Sequence, residues 1–142
     1  MILSNELRDK VVKELRLIAD KMKKTEDVQK KMYWFSGAFG IIQRVYNFEF
    51  NPTLVFVYQV LNLSYMTINS RVNSLISGSE RIIPIPDRFF INLENNLELL
   101  ANEIESENVQ GIYKTLENLA LLAFITTGNG YYLYETRNIP IK

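Results

Sequence analysis

The sequence predicts an all-α fold, an antiparallel up-and-down bundle of four core helices plus one with an extended C-terminal tail. Apolar residues recur at alternating spacings of three and four through most of the chain, the signature of one helical face. Residues that cap or stop helices punctuate these runs. The segment between the third and fourth runs is the one loop, because Pro84 and Pro86 force extended backbone on themselves and on the residues before them.

The first helix spans 4–24. Ser4 supplies its N-cap, Leu7, Val11, Leu15, Ile18 and Met22 its buried stripe, and Lys21, Lys23 and Lys24 complement the dipole of its last turn. Thr25, followed by Glu26 and Asp27, restarts a helix over 26–48, although the pattern leaves open whether the two are one kinked helix. That second helix carries Val28, Met32, Phe35, Phe39, Ile42 and Tyr46, with a neighbouring stripe of Trp34, Ala38, Ile41, Val45 and Phe48. Gly37 and Gly40 within it read as points of close approach by another element.

Asn51-Pro52 opens the third helix, a capping side chain followed by a residue with no amide hydrogen to leave unpaired, and Gly78 stops it after Ser77. A fourth helix over 88–105, capped by Asp87, buries Phe90, Leu93, Leu97, Leu100 and Ile104 and turns Glu94, Glu98, Glu103 and Glu105 outward. Ser106 or Asn108 caps a fifth over 108–127, with Val109, Ile112, Leu116, Leu119 and Ala123 inward and Gly128 as the stop. The remainder, with Tyr131, Tyr132 and Tyr134, is the tail and lies against the bundle.

A chain of 142 residues, 47% hydrophobic, supports one domain with one core. Sixteen basic and sixteen acidic residues leave no net field to attract nucleic acid or an anionic membrane. The densest basic cluster, Lys21, Lys23, Lys24, Lys30 and Lys31, is interleaved with Asp20, Glu26 and Asp27, which argues further against a nucleic-acid partner. The chain has no cysteine and no histidine, so thiolate and imidazole chemistry is excluded. We assign no catalytic residue and no metal site. Glu94 and Glu98 stand one turn apart, with Glu107 extending the acidic run, and read as a solvated face. The opening residues lack the apolar stretch of a signal peptide, which makes the cytoplasm the expected compartment. Asn51, Gln59, Asn62, Ser64 and Asn69 interrupt the uncharged run from Phe50 to Ser70, so no membrane span is expected.

That same run says most about function. Phe56, Val60 and Leu63 form a second apolar stripe, about 200° around the third helix from its main stripe of Leu54, Tyr58, Leu61, Tyr65, Ile68, Val72 and Leu75. Two arrangements bury both sides: the helix is the hub of its own fold, or its outer side meets another subunit. Residues 118–134 are also uncharged, and one small interior has no room for two such segments, which favours a homo-oligomer. Residues 1–31 are base-rich and residues 87–118 acid-rich, which places helices one and four in water, as neighbours or as contacts between copies.

Between its apolar stripes the third helix carries Gln59, Asn62, Met66, Asn69 and Asn73, an amide seam that would either fix helix register or orient a polar ligand. Arg71 with Glu80 and Arg81 of the following loop could clasp an anion, and with Asn69 and Asn73 these are the candidate ligand-binding residues. The order of long helices, the cysteine-free composition and the Asn51-Pro52 opening resemble a small archaeal family of helical-bundle proteins. Its bundle is similar to that of the cobalamin adenosyltransferases, trimers that bind ATP and cobalamin near subunit boundaries, and the local echo here is Ser70-Arg71-Val72-Asn73-Ser74-Leu75. The glycine- and threonine-rich N-terminal segment and the arginine cluster of those enzymes are missing, so the resemblance implies kinship of fold without the activity. The expected function is a non-enzymatic homo-oligomeric assembly or interaction protein. The alternative is a nucleotide-binding protein or transferase.

Overall fold

The computed structural model describes residues 3–77, 85 and 88–127, with the backbone alone at 75–77. Five helices follow in order: α1 (Asn5–Lys23), α2 (Val28–Tyr46), α3 (Pro52–Ser77), α4 (Phe89–Glu105) and α5 (Val109–Ile125). The fold is all-α, and α1 and α2 are two helices. The hydroxyl of Ser4 accepts from the amide of Leu7, and Asn51 Oδ1 accepts from the amides of Thr53 and Leu54, as the capping rules require.

Two caps differ from expectation. Asp27, not Thr25, caps α2 and accepts from the amides of Gln29 and Lys30, while the Thr25 hydroxyl accepts from the amide of Asp27. Asp27 wins because its carboxylate reaches two amides at the positive end of the helix. The expected cap of α4, Asp87, lies outside the described residues; Arg88 precedes that helix at φ 67° with no side-chain cap. At the other end of α4, Glu107 takes φ 54°, its amide donating to Ile104 O and that of Asn108 to Glu103 O. These bonds make the link of a Schellman motif, with glutamate at the position that favours glycine, and Asn108 at once caps α5 through the amide of Gly111.

The helices contact one another in the cyclic order α1, α2, α3, α5, α4 and back to α1, each with two neighbours. Side-chain pairs fix the directions. Tyr46 meets Tyr58 and Phe35 meets Tyr65, so α2 and α3 are antiparallel. Arg16 meets Glu105 and Lys23 meets Glu98, so α1 and α4 are antiparallel. The pairs α1–α2 and α4–α5 are successive antiparallel hairpins. Phe56 meets Tyr113, while further along Leu63 and Thr67 share a hollow with Ala120 and Thr127, so α3 and α5 run parallel. Gly37 lets α1 approach: a Cβ there would stand 3.2 Å from Ile18 Cδ1. Gly40 does not serve this purpose among the described residues, since a Cβ would meet only Arg44 of its own helix within 4 Å.

The interior is apolar, with Phe35, Phe89, Leu15, Ile42, Leu61, Leu93 and Leu97 fully buried, and α4 turns Phe89 rather than Phe90 deepest into it. One ion pair sits inside. Lys31 Nζ of α2 donates to Glu94 Oε2 of α4 at 2.6 Å, with the side chains only 12% and 3% exposed. The same ammonium donates to Met22 O at 2.7 Å and lies 5.9 Å from the ring centre of Phe90. Glu94 is therefore no part of a solvated acidic face, and the chain stabilises its carboxylate by bringing a cation to it. Two helices without backbone contact are tied across the ring.

Removing one member of such a pair leaves the other buried without compensation. Lys31→Met should lower stability in urea unfolding by about 3–5 kcal/mol, and the double variant Lys31→Met/Glu94→Leu should recover most of it. Glu107→Gly should raise stability by up to about 1 kcal/mol by relieving left-handed backbone, with the Arg8 contact the small loss against it.

Candidate functional site

Along α3, Leu54, Val57, Leu61, Ser64, Ile68 and Val72 are buried, while Pro52, Phe56, Gln59, Leu63, Met66, Ser70 and Asn73 form one exposed line. Because α3 touches only α2 and α5, it is not the hub of the fold, and its outer side stays uncovered by the other described helices. Phe56 is 46% exposed, Leu63 62% and Met66 57%, with Tyr113 and Phe124 of the adjacent α5 at 44% and 41%. Val60 is half-buried, turned toward α5.

Between the two parallel helices lies a hollow of about 220 Å³ lined by Val60, Leu63, Ser64, Thr67, Ala120, Ala123, Phe124 and Thr127. Small residues on α5 create it, since Ala120 and Ala123 leave unfilled the space that a leucine would take. No charged residue lies between Phe50 and Ser70 or between Asn118 and Thr127. Glu117 lies in the middle of the exposed side of α5 with Lys114 next to it, and neither enters an ion pair among the described residues. The surface is suited to apolar docking, with one charge of each sign on its α5 side.

The candidate ligand residues do not converge. Asn69 and Asn73 open on a shallow hollow with Tyr65, Met66, Ser70 and Ser74. Arg71 turns the other way, into a hollow with Thr67, Ser70, Ser74, Thr126 and Thr127 at the C-terminal end of α5. A cation there complements the partial negative charge of the helix end. Glu80 and Arg81 lie outside the described residues. Among the described residues, none of Gln59, Asn62, Asn69 and Asn73 hydrogen-bonds to a neighbouring helix, so the amide seam edges the surface instead of fixing register.

The charged helices form the opposite wall. Arg16 grips both carboxylate oxygens of Glu105 at 3.1 and 2.8 Å and donates to Asn102 Oδ1 at 2.9 Å, and Lys23 donates to Glu98 at 2.6 Å. The opposite charge bias of the two segments thus pairs neighbours within one bundle. Hydrogen bonds from Arg16 hold the Glu105 carboxyl below its usual pKa, and the Glu105 carboxylate raises that of Arg16.

The buried Lys31–Glu94 pair is the polar centre that the spacing of apolar residues did not single out. A signal was there. At about 100° per residue Lys31 stands within about 20° of Ala38 and Ile42, the middle of the buried arc of α2, and Glu94 stands about 20° from Ala101. Its ammonium has two donors engaged and faces a ring with the third, which makes it a tie and not a proton shuttle. Among the described residues no group of three or more acidic, cysteine or histidine side chains could hold a metal ion, and no helix is long and apolar enough to cross a membrane.

Compared with known proteins, the chain matches no family model, no curated protein and no solved structure at a significant level.

The Glu105 shift has a pH consequence. A carboxyl whose pKa is lowered on folding contributes stability above its unfolded value, about 4.3, and loses it as pH falls through the lowered folded value. Glu105→Gln should therefore flatten the acid-side fall of the urea midpoint below about pH 4.3, and an unchanged slope would show that the pair contributes nothing in solution.

Proposed function

We propose that the chain is a non-enzymatic assembly module that acts by self-association through the face made by α3 and α5. The observation that carries this reading is the cluster of half-exposed Phe56, Leu63, Met66, Tyr113 and Phe124 on adjacent helices, bordering an apolar hollow in a stretch without charge. Isolated exposed apolar residues are ordinary on protein surfaces, but a contiguous patch rimmed by polar groups marks an interaction site. Among the described residues no comparable group of reactive side chains supports an enzyme, and the buried polar pair is the closed Lys31–Glu94 tie.

The finer reading, kinship with the cobalamin adenosyltransferase bundle and binding of ATP or cobalamin, would rest on Arg71 with Asn69 and Asn73. These residues open on two hollows that share only Ser70 and Ser74.

Leu63→Arg should lower the mass measured by light scattering while leaving helical circular dichroism intact, because Leu63 is exposed in the single chain. A wild-type chain that is monomeric at high micromolar concentration would remove the proposal. In parallel, a rise in Tm with millimolar ATP or cobalamin would favour the ligand-binding reading, since a ligand of the native state must raise it.

A further inference from the structure

Within the exposed line on α3, which runs from Pro52 to Asn73, the five residues from Pro52 to Met66 are centred on Gln59. Pro52 and Phe56 precede it by seven and three residues, and Leu63 and Met66 follow it by four and seven. The exposed line on α5 has the same form, with Gln110 and Tyr113 before Glu117 by seven and four, and Ala120 and Phe124 after it by three and seven. The Phe56–Tyr113 contact, with ring centres 5.5 Å apart, sets the level of one helix against the other. It places Gln59 level with α5 residues around 116, so the two centres of symmetry coincide along the axis of the pair.

Resting on the self-association proposed above, we infer that the occupant of this face is a second copy turned by a two-fold axis that crosses both helices at the level of Gln59. In this arrangement α3 lies antiparallel on α3 of the other copy and α5 on α5. Phe56 of each copy then packs against Leu63 of the other, and Pro52 against Met66. Lys114 and Glu117 straddle the same level, so each Lys114 faces the other copy's Glu117, giving both charges a partner that neither has among the described residues of its own chain. A two-fold contact needs this self-complementarity, in which residue i meets j and j meets i.

The dimensions fit. Pro52 to Ser70 spans about 27 Å, and two helices side by side are about 20 Å wide, so each copy offers about 540 Å² in projection. Both together give about 1,100 Å², just above the size at which specific interfaces begin, which implies a dimer that dissociates on dilution.

A chain without native cysteine makes the geometry readable by disulfide trapping, which requires Cα atoms about 4.4–6.8 Å apart. Single-cysteine variants would be oxidised in the full-length protein, singly and as mixtures, and read on non-reducing gels. Gln59→Cys should link to itself, and Phe56→Cys should link to Leu63→Cys. Leu63→Cys alone should not, because its two copies would stand about 12 Å apart along the axis. Reversing the charged pair should give the same answer by light scattering: Lys114→Glu should weaken the dimer, and adding Glu117→Lys should restore it.

A dimer in which Leu63→Cys links instead to Ala120→Cys would mean that α3 lies parallel on α5 of the other copy; it would overturn the antiparallel arrangement and leave self-association standing. A wild type that is monomeric at every concentration, whether because residues 128–142 cover the face or because nothing does, would overturn both.

Discussion

A ring with an odd number of helices cannot alternate in direction all the way round, and the rest of this structure follows from that constraint. Four of the five contacts are antiparallel, so the fifth has to be parallel, and it falls between α3 and α5. Parallel neighbours point their dipoles the same way, where they repel instead of cancelling. Here Arg71 of α3 and the hydroxyls of Thr126 and Thr127, which donate to Ala123 O and Phe124 O, lie at the carbonyl end of α5. The parallel seam is also where the packing leaves a hollow, lined by no charged residue. The least self-sufficient junction of the ring is thus the one that we propose a second copy covers.

Lys31 and Glu94 answer the other problem of a ring, which is its middle. Helices α2 and α4 are not neighbours, and only long side chains can join them. An aliphatic pair of similar volume would join them at least as stably in many proteins. The ammonium, however, also donates to Met22 O, the carbonyl it meets where α1 ends. One side chain thereby joins α1, α2 and α4.

Helix number, order and bounds were legible to within two residues because apolar periodicity and capping chemistry are local. The run from Pro52 to Ser77 is an example: Asn51 announced its start through a side chain that does cap it. Legible too was the outer apolar stripe of Phe56 and Leu63, since a helix greasy on two sides needs two neighbours. The partners across the ring were not legible. Glu94 read as part of an acidic surface because four glutamates share that stretch, and only the angular position of each relative to the buried arc separates the one that turns inward. Arg71 lies between Asn69 and Asn73 in sequence yet opens on another side, as residues two apart on a helix must.

The seam between α1 and α4 closes the ring with residues far apart in the chain: Arg16 with Glu105, and Lys23 with Glu98. During synthesis the first three helices can assemble as consecutive hairpins, but the flank of α1 that awaits α4 stays open until most of the polypeptide has left the ribosome. Its lysines and arginines keep that waiting edge hydrated, a safeguard against premature association that an oily seam would lack.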